Sequence, residues 1–274
     1  ITINESKANT LMDSLKSAYL KNPKLNAERA KMKSTIEEKR ESISEFLPSI
    51  TISGYIEDLD NTKTDGSDSN FEPSAKSMII EQKIFQGGSG VANFKKKKYG
   101  QTLGEFLLKK MEQETLLDAA KAHSELLLNI KKVNINLINM DLLERQVETD
   151  QNRLEKGKIS LTDLAQSESS LAGAQAQLIG VQNDLVTSKA NFEKIIGKKP
   201  TKNVKNIEKI NLNLPKSLAS AYKISNSDNP DLRIAFLEFE QSKLDVKIAG
   251  AELSPSATLS YKLSEQDEVS STIN

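Results

Sequence analysis

The sequence predicts a mainly α-helical protein with a long antiparallel helical hairpin and a smaller part made of amphipathic β-strands. Long segments lack proline, a glycine interrupts them at position 157, and short segments alternate apolar and polar residues. Only 37% of the residues are hydrophobic and 28% are charged, which is less apolar than a compact globule of 274 residues normally is. We therefore expect elongated helices that each bury a narrow apolar stripe.

Composition excludes several classes of protein. The formal net charge is zero, from 38 basic and 38 acidic residues, so bulk electrostatics indicate no nucleic-acid partner. No cysteine is present, which excludes disulfides and thiolate metal sites. No segment approaches the ~18 apolar residues of a membrane-spanning helix. The chain opens without methionine, and we expect that processing or cloning removed the natural start.

The chain repeats itself at an offset of 207 positions. Residues 229–262 align with residues 22–55 without a gap, and both copies begin with Asn-Pro. Just upstream, SLASAY at 217–222 echoes SLKSAY at 14–19, which implies four extra residues in the second copy. Because the second copy stops at Asn274, we expect the chain to be a truncated piece of a protein about twice the repeat in length.

Two segments of the first copy predict β-strands, at 48–58 and 74–85. Alternation with a period of two gives a strand one apolar and one polar face. The apolar positions are Ile50, Ile52 and Ile56 in the first strand, Met78, Ile80 and Ile84 in the second, and Leu259 in the strand that repeats the first. Between the first two strands, LDNTKTDGSDSNFEP predicts a solvent-exposed polar loop.

The rest of the first copy predicts two long helices. From the glycines at 87–90 to Arg153 no proline occurs, and apolar residues recur at steps of three and four. At ~1.5 Å per residue this helix would be about 100 Å long. The next helix repeats every seven residues, which predicts left-handed supercoiling. Its two seams are Leu164, Leu171, Leu178, Leu185 and Phe192, and Ser167, Ala174, Val181, Ser188 and Ile195.

The segment RLEKGKISLTDL predicts the tip of a helical hairpin. Gly157 can adopt the left-handed conformation that ends the first helix, and Ser160 can cap the second with Asp163 three residues on. The returning helix at 160–196 is too short to pair alone with the long helix. We therefore expect the helix at 23–46 to stack end to end on it.

The predicted strands favour a membrane. A two-stranded ribbon is not stable alone, and about ten residues fit the ~9–11 of a tilted membrane-spanning strand. In lipid such a sheet must close, and two copies supply only four strands, fewer than the ~8 of the smallest barrels. Several chains would have to pool their strands. The alternative is a soluble hairpin packed against a helix.

At this point the residues resemble a known family. EQKIFQGG is similar to the strand-to-helix junction of TolC-like outer membrane factors, the outer membrane efflux protein family, with Gln82, Phe85, Gly87 and Gly88 as the matching positions. RLEKGKISLTDL resembles their periplasmic tip, and the NP-x-L motif, the LPSITIS strand entry and the internal duplication also match. The resemblance covers essentially the whole chain. Lys83 departs from it, since many relatives have proline there.

The resemblance implies a homotrimer in the bacterial outer membrane with a twelve-stranded β-barrel, to which each chain contributes four strands. It also implies a periplasmic α-barrel whose wall is built from the long helical hairpins of the chains. Ile50, Ile52, Ile56 and Leu259 would face outer membrane lipid. The function implied is the exit duct of a tripartite efflux or type I secretion system. The partners implied are a periplasmic adaptor and, through it, an inner-membrane transporter. We expect no catalysis and no cofactor.

At the tip, the resemblance implies that Arg153, Gly157, Ser160, Thr162 and Asp163 form an adaptor-docking region. Thr162 and Asp163 match positions that help to tether the closed state.

The resemblance also implies a division into five segments. These are 1–47, with equatorial and upper α-barrel helices; 48–86, the first β-hairpin; 87–200, the helical hairpin with its tip near 154–163; 201–228, an equatorial linker and short helix; and 229–274, the start of the second repeat.

Two other functions compete with the duct: a periplasmic adaptor, which also has a helical hairpin, and a purely structural coiled coil. An adaptor would flank its hairpin with halves of a lipoyl-like domain, and a coiled coil would not need the strands.

Several polar residues have a structural and a functional interpretation. The run Phe94–Tyr99 contains four lysines and predicts a solvated helix start rather than a nucleic-acid site. His123, the sole histidine, is expected on the surface or in a helix seam, without a metal. The calcium candidates Asp60, Asp65 and Asp68 lack the spacing of a dedicated loop. Asn134, Asn136 and Asn139 either line a wet lumen or face solvent.

Overall fold

A computed structural model describes residues 10–57, 59–62, 68–71, 74–201, 204–205 and 214–267. The protein is mainly helical with a small β-sheet. The elements are α1 (Leu11–Lys21), α2 (Pro23–Glu41), a 3-10 helix (Ser42–Phe46), β1 (Ser49–Ile56), β2 (Leu59–Thr62), β3 (Asp68–Phe71), β4 (Ser74–Gln86), α3 (Ser89–Glu155), α4 (Leu161–Ile196), α5 (Leu218–Asp228), α6 (Pro230–Ala251) and β5 (Ser256–Asp267).

The chain folds as two compact units. The first comprises Ile1–Ala30 and Leu107–Asn229, and the second comprises Lys31–Phe106 and Pro230–Asn274. The core of the first unit is built from α1, α3 and α4, and consists of Ala18, Ala119, Leu126, Phe192 and Ile196, all fully buried. Small residues on α1 and α3 allow the helices to approach closely, and Phe192 fills the space between them.

Helix α4 buries the heptad seam that its sequence predicts. Leu164, Leu178 and Phe192 are buried, as are Ala174 and Ser188 of the companion seam. The other seam positions, Leu171, Leu185, Ser167, Val181 and Ile195, are half-buried. The seven-residue spacing therefore identified the packed face of this helix.

The side chain of Asn22 joins two helices end to end in the first unit. Its Oδ1 accepts hydrogen bonds from the backbone N–H groups of Lys24 (2.9 Å) and Leu25 (3.2 Å), which caps the start of α2. Its Nδ2 donates to the carbonyl oxygen of Ile195 at 2.9 Å, in the last turn of α4. The end of α4 thus lies against the start of α2, as the length mismatch of the two long helices predicts.

Two further contacts complete this joint. Ser17 Oγ of α1 donates to the carbonyl oxygen of Ile196 at 3.0 Å, so a second terminal carbonyl of α4 is satisfied. Gly197 ends α4 in the left-handed region, with φ of 75°. A Cβ at this glycine would lie 2.9 Å from Cβ of Lys21, so a larger residue would push α1 away.

His123 on α3 is buried in the first unit. Its Nδ1 lies 3.0 Å from Ser14 Oγ of α1, its Nε2 lies 3.4 Å from the carbonyl oxygen of Lys205, and its ring is near that of Phe192. Of the two expected positions, the surface or a helix seam, the structure shows the seam, where Ser14 and Lys205 supply the partners that a buried imidazole needs. Burial lowers the pKa of His123, and the Lys205 hydrogen bond offsets part of this shift.

The second unit contains a three-stranded antiparallel sheet in the order β1-β4-β5. Strand β5 belongs to the second sequence repeat, and it begins 207 positions after β1. It pairs with β4 along the whole of that strand, from Ser74 to Gln86, whereas β1 pairs with β4 only as far as Glu81. The two repeats therefore meet at β4.

The offset of 207 positions also relates the helices before the two Asn-Pro motifs, α1 and α5. This corrects the expectation of four extra residues in the second copy. Both α1 and α5 have 11 residues, and their N-caps, Thr10 and Ser217, are 207 positions apart. The four extra residues inferred from SLASAY and SLKSAY are therefore wrong for the helices. Within helices of equal length, SLASAY begins about one helical turn earlier in α5 than SLKSAY does in α1. The two similar segments therefore do not occupy equivalent positions.

The strand region differs from prediction in two places. The predicted polar loop contains the short antiparallel pair β2–β3, although Asp65 and the rest of 63–67 lie outside the described residues. Register along β4 shifts between Lys83 and Phe85, so that Phe85 pairs with Ala257. The bulge adds one residue to β4 and interrupts the alternation of its two faces. The expectation that Ile84 lies on the same face as Met78 and Ile80 is therefore wrong.

Replacing Asn22 tests whether both halves of its amide are needed. We expect Asn22→Ala to lower the free energy of unfolding by about 2 kcal/mol, since one cap and one further hydrogen bond are lost. Asn22→Asp keeps the N-cap acceptor, yet it places a carboxylate beside the Ile195 carbonyl and should also destabilise. Denaturant unfolding monitored by circular dichroism measures both, with Asn183→Ala, at an exposed position of α4, as control. A fully stable Asn22→Asp would contradict the double role.

The buried histidine predicts a pH dependence. Since the folded-state pKa of His123 lies below its ordinary value of 6.5, its contribution to stability is complete above that value and is lost as the pH falls. The unfolding midpoint should therefore decrease between about pH 7.5 and pH 5. His123→Gln cannot titrate and should show a smaller decrease. Identical pH profiles for the two proteins would refute the assignment.

Candidate functional site

One face of the three-stranded sheet is apolar and exposed. Residues that pair across strands share a face, and the register forms the rows Ile50–Ile80–Tyr261 and Ile52–Met78–Leu263. Leu259 lies on the same face opposite Gln82. The next row on this face, Gly54–Lys76–Glu265, is charged, and Ile56 lies beyond it on β1. The four residues predicted to face lipid, Ile50, Ile52, Ile56 and Leu259, are between 62% and 80% exposed. The structure therefore brings all four together on one surface.

The opposite face of the same sheet is mostly polar. Its rows include Ser49–Glu81–Ser260 and Ser53–Ser77–Ser264, and the hydroxyls of Ser53 and Ser77 lie 2.7 Å apart. Ile79, between Thr51 and Lys262, is an exception. An exposed apolar face this wide marks a surface that meets lipid or another protein.

The junction between β4 and α3 depends on two glycines. Gly87 and Gly88 both have positive φ, of 60° and 85°, which turns the chain from strand into helix within two residues. A Cβ on Gly87 would lie 2.7 Å from the carbonyl oxygen of Ala251 and from Cβ of Ser254. Gly87 is thus required by its conformation and by the close approach of the end of α6.

The other two predicted junction residues lie on either side of the bulge. Gln82 Nε2 donates to the carbonyl oxygen of Phe46 at 3.3 Å, which ties β4 to the end of the 3-10 helix. Phe85 is exposed and is the first residue in register after the bulge. Lys83, the departure from the family pattern, stands at the bulge itself, where it pairs with Thr258.

The predicted tip has the local geometry that its sequence indicates. Gly157 has φ of 65° and is exposed. Its N–H donates to the carbonyl oxygen of Leu154, and the N–H of Lys158 donates to the carbonyl oxygen of Arg153. These are the two hydrogen bonds of a Schellman motif. Ser160 and Asp163 form a capping box, in which Asp163 N–H donates to Ser160 Oγ and Ser160 N–H to Asp163 Oδ2. The hairpin turn is therefore encoded locally.

Asp150 is a tip residue that the sequence did not reveal. Its side chain is only 8% exposed, and its Oδ2 accepts hydrogen bonds from Ser167 Oγ of α4 at 2.6 Å and from Gln146 Nε2 at 2.7 Å. It therefore links the two helices of the hairpin just behind the turn. Ser167 is a position of the predicted seam. No short-range sequence pattern, however, indicates that it binds Asp150, which lies 17 positions earlier.

The remaining tip residues point to solvent. Arg153 lies 3.6 Å from Asp150 Oδ1, and Thr162 is exposed. The pKa of Asp150 is lowered, chiefly by the Ser167 hydrogen bond, and the pKa of Asp163 is lowered by the N–H and hydroxyl of Ser160. Both carboxylates are therefore charged throughout the physiological range. The tip presents an exposed guanidinium beside two stabilised anions.

The other candidate residues have structural surroundings. In the lysine run, Lys96 pairs with Asp245 of α6 and Lys97 with Glu38 of α2, so part of its charge is neutralised. Asn134 and Asn139 are exposed, which agrees with either a lumen or bulk solvent. In the part of the chain that the structure describes, no acidic and histidine side chains cluster as metal ligands. Within the same part, no helix has the length and apolar character to cross a membrane.

Comparison with known proteins decides the family. Residues 14–198, more than half of the chain, match the family model described as outer membrane efflux protein. The chain belongs to the outer membrane efflux protein family. It is similar to the outer membrane efflux protein BepC of Brucella suis biovar 1 (strain 1330), with 26% identity over 266 residues that cover 96% of the chain and 56% of BepC. The chain thus spans about half the length of this relative.

Solved channels of the outer membrane share the fold. The Campylobacter jejuni CmeC outer membrane channel superposes with a TM-score of 0.77 at 14% identity, over 94% of the chain and 57% of CmeC. The Vibrio cholerae outer membrane protein VceC gives a TM-score of 0.68 at 16% identity, over 94% of the chain and 62% of VceC. The predicted family and the predicted outer membrane location are confirmed. The family is named for transport and not for a catalysed reaction.

Replacing Gly87 should disrupt the junction between β4 and α3. We expect Gly87→Ala to cost about 1–3 kcal/mol for its left-handed backbone alone, with a further cost for the clash at Ala251. The yield of folded protein in the outer membrane and its unfolding midpoint measure the effect. Gly173→Ala in α4 is the control, because a Cβ there meets nothing within 4 Å. Equal yields for the two variants would contradict the close-approach argument.

The Asp150 link predicts a stable tip over a wide pH range. Because the folded-state pKa values of Asp150 and Asp163 lie below 3.8, the stability they contribute is complete above that pH and is lost only as the pH falls further. Tip amides should stay protected from hydrogen exchange at pH 5. Asp150→Asn should raise their exchange rates, whereas Asp141→Asn, on the exposed surface of α3, should not. Unchanged exchange in Asp150→Asn would argue against the link.

Proposed function

We propose that the full-length protein is the exit duct of a tripartite efflux or type I secretion system. Three copies would close a barrel of twelve strands in the outer membrane, with four strands from each chain. Substrates would pass through the helical part from a periplasmic adaptor and an inner-membrane transporter to the exterior. The proposal involves no catalytic step and no cofactor, so transport would depend on the shape and charge of the conduit.

The exposed apolar face of β1, β4 and β5 carries the proposal. Three adjacent strands present two rows of apolar side chains on one side, followed by the charged row Gly54–Lys76–Glu265, and mainly hydroxyls on the other side. An apolar outer face and a polar inner face are the pattern of a membrane barrel wall. Strands β1 and β5 are the outer strands of this sheet, and an unpaired strand edge is costly in lipid. Pairing with further strands, including those of other copies, would satisfy both edges.

The tip is the proposed docking region for the adaptor. The adaptor-docking candidates Arg153, Gly157, Ser160, Thr162 and Asp163 form a short, hydrogen-bonded turn with charged and hydroxyl side chains at its surface. Asp163 would have to combine adaptor contact with a structural role, because its carboxylate already forms the capping box of α4. Thr162, which is exposed and outside the capping box, is therefore the better candidate for a contact that breaks when the duct opens.

Reconstitution of the full-length protein tests the proposed duct. In planar lipid bilayers it should produce single-channel conductance, and chemical cross-linking in the outer membrane should yield a trimer. A monomer that fractionates with the soluble periplasmic proteins would overturn the proposal.

Matched lysine substitutions test which sheet face meets lipid. Ile52→Lys places a charge on the apolar face and should reduce outer membrane assembly, with a cost of about 2–4 kcal/mol near the bilayer midplane. Thr51→Lys, one position earlier on the polar face, should assemble at close to the wild-type level. Equal losses in the two variants would mean that the apolar face is not the lipid-facing one.

A further inference from the structure

A basic groove lies in the second unit where the sheet meets the helices. It has a volume of about 420 Å³, within the range of small-molecule sites, and it lies between the start of α3 and the end of α6. Its apolar wall includes Val91, Ala92 and Leu244, and its two charged lining residues are Lys95 and Lys247. No carboxylate is among its lining residues.

The two lysines differ from their neighbours in having no acidic partner. On α3, Lys96 is paired with Asp245 and Lys97 with Glu38. Successive helical residues point about 100° apart, so Lys95 is directed away from the α2 side and lies over the groove beside α6. Within the described residues neither Lys95 nor Lys247 takes part in an ion pair, and both are exposed. The groove therefore holds two uncompensated positive charges.

The position of the groove suits an amphiphile. Gly87 follows β4 directly and Ser254 precedes β5, and both line the groove, so it lies at the end of the strands that carry the apolar face. A molecule with an anionic head and apolar tails could place its head between the lysines and its tails along that face. Lysines at such a boundary attract anionic lipid headgroups.

We propose that this groove binds the headgroup phosphate of an anionic phospholipid in the membrane leaflet nearest the helices. The inference rests on the proposed function, because the strands must lie in lipid for the groove to meet a headgroup. The Lys95 and Lys247 ammonium groups would hold the phosphate from two different helices. The apolar wall would accept the glycerol and the first acyl carbons. A bound lipid would thus stabilise the contact between the start of α3 and the end of α6.

Native mass spectrometry of the full-length protein in detergent tests the site. After titration with phosphatidylglycerol or zwitterionic phosphatidylcholine, the wild-type protein should retain more phosphatidylglycerol. Removing the charges in Lys95→Gln/Lys247→Gln should reduce this retention by about fivefold for each lysine. The control Lys131→Gln/Lys132→Gln removes two exposed charges further along α3 and should retain lipid like the wild type.

A second variant fills the groove without changing its charge. Gly250 lines the groove, and a Cβ there meets nothing within 4 Å, so Gly250→Leu should fold while occupying the lipid space. It too should lose phosphatidylglycerol. Millimolar inorganic phosphate should not displace the lipid, and full displacement would assign the site to a free anion instead.

The two proposals fail in different ways. If the wild-type protein conducts in bilayers but both groove variants retain phosphatidylglycerol unchanged, the lipid site is refuted and the duct stands. If neither conductance nor trimers are found, the duct is refuted and the lipid site with it.

Discussion

The double use of Asn22 is the constraint on which the helical architecture depends. A long helix such as α3 needs a partner along its length, but α4 ends after 36 residues and leaves its last carbonyls without intrahelical donors. Asn22 supplies a donor to one of these carbonyls and an acceptor to the first N–H groups of α2. An amide side chain carries its donor and its acceptor on separate atoms, so one residue can bond to both helices at once. Ser17 and Gly197 support the joint, so α4 and α2 can continue one another end to end.

A second constraint is the division of the sheet into an apolar and a polar face. Isolated in water, the apolar face would be an aggregation hazard, and its exposure makes sense only if something covers it. The glycine pair at 87–88 ends the strand within two residues and starts α3, so the apolar surface stops where the charged helix begins. Under the proposed function, this boundary would coincide with the sharp change of polarity at the surface of a bilayer.

Much of this fold follows from short-range sequence signals, and what was missed depends on distant residues. The left-handed Gly157 and the capping box at Ser160 involve positions within one or two turns, so the sequence alone predicts them. The link from Asp150 to Ser167 and the burial of His123 against Ser14 require knowledge of which helices pack together. The bulge at 83–85 could not be predicted either, because it is set by pairing with β5, a strand more than 170 positions away.

The position of β4 has a consequence for the history of the gene. This strand comes from the first sequence repeat, yet its longer ladder is with β5 of the second. The two halves of the internal repeat therefore share one sheet. Unequal crossing-over that removed either half would strip hydrogen bonds from the other. Substitutions in β4 and β5 should thus have been selected jointly, which would make the fused gene hard to divide again.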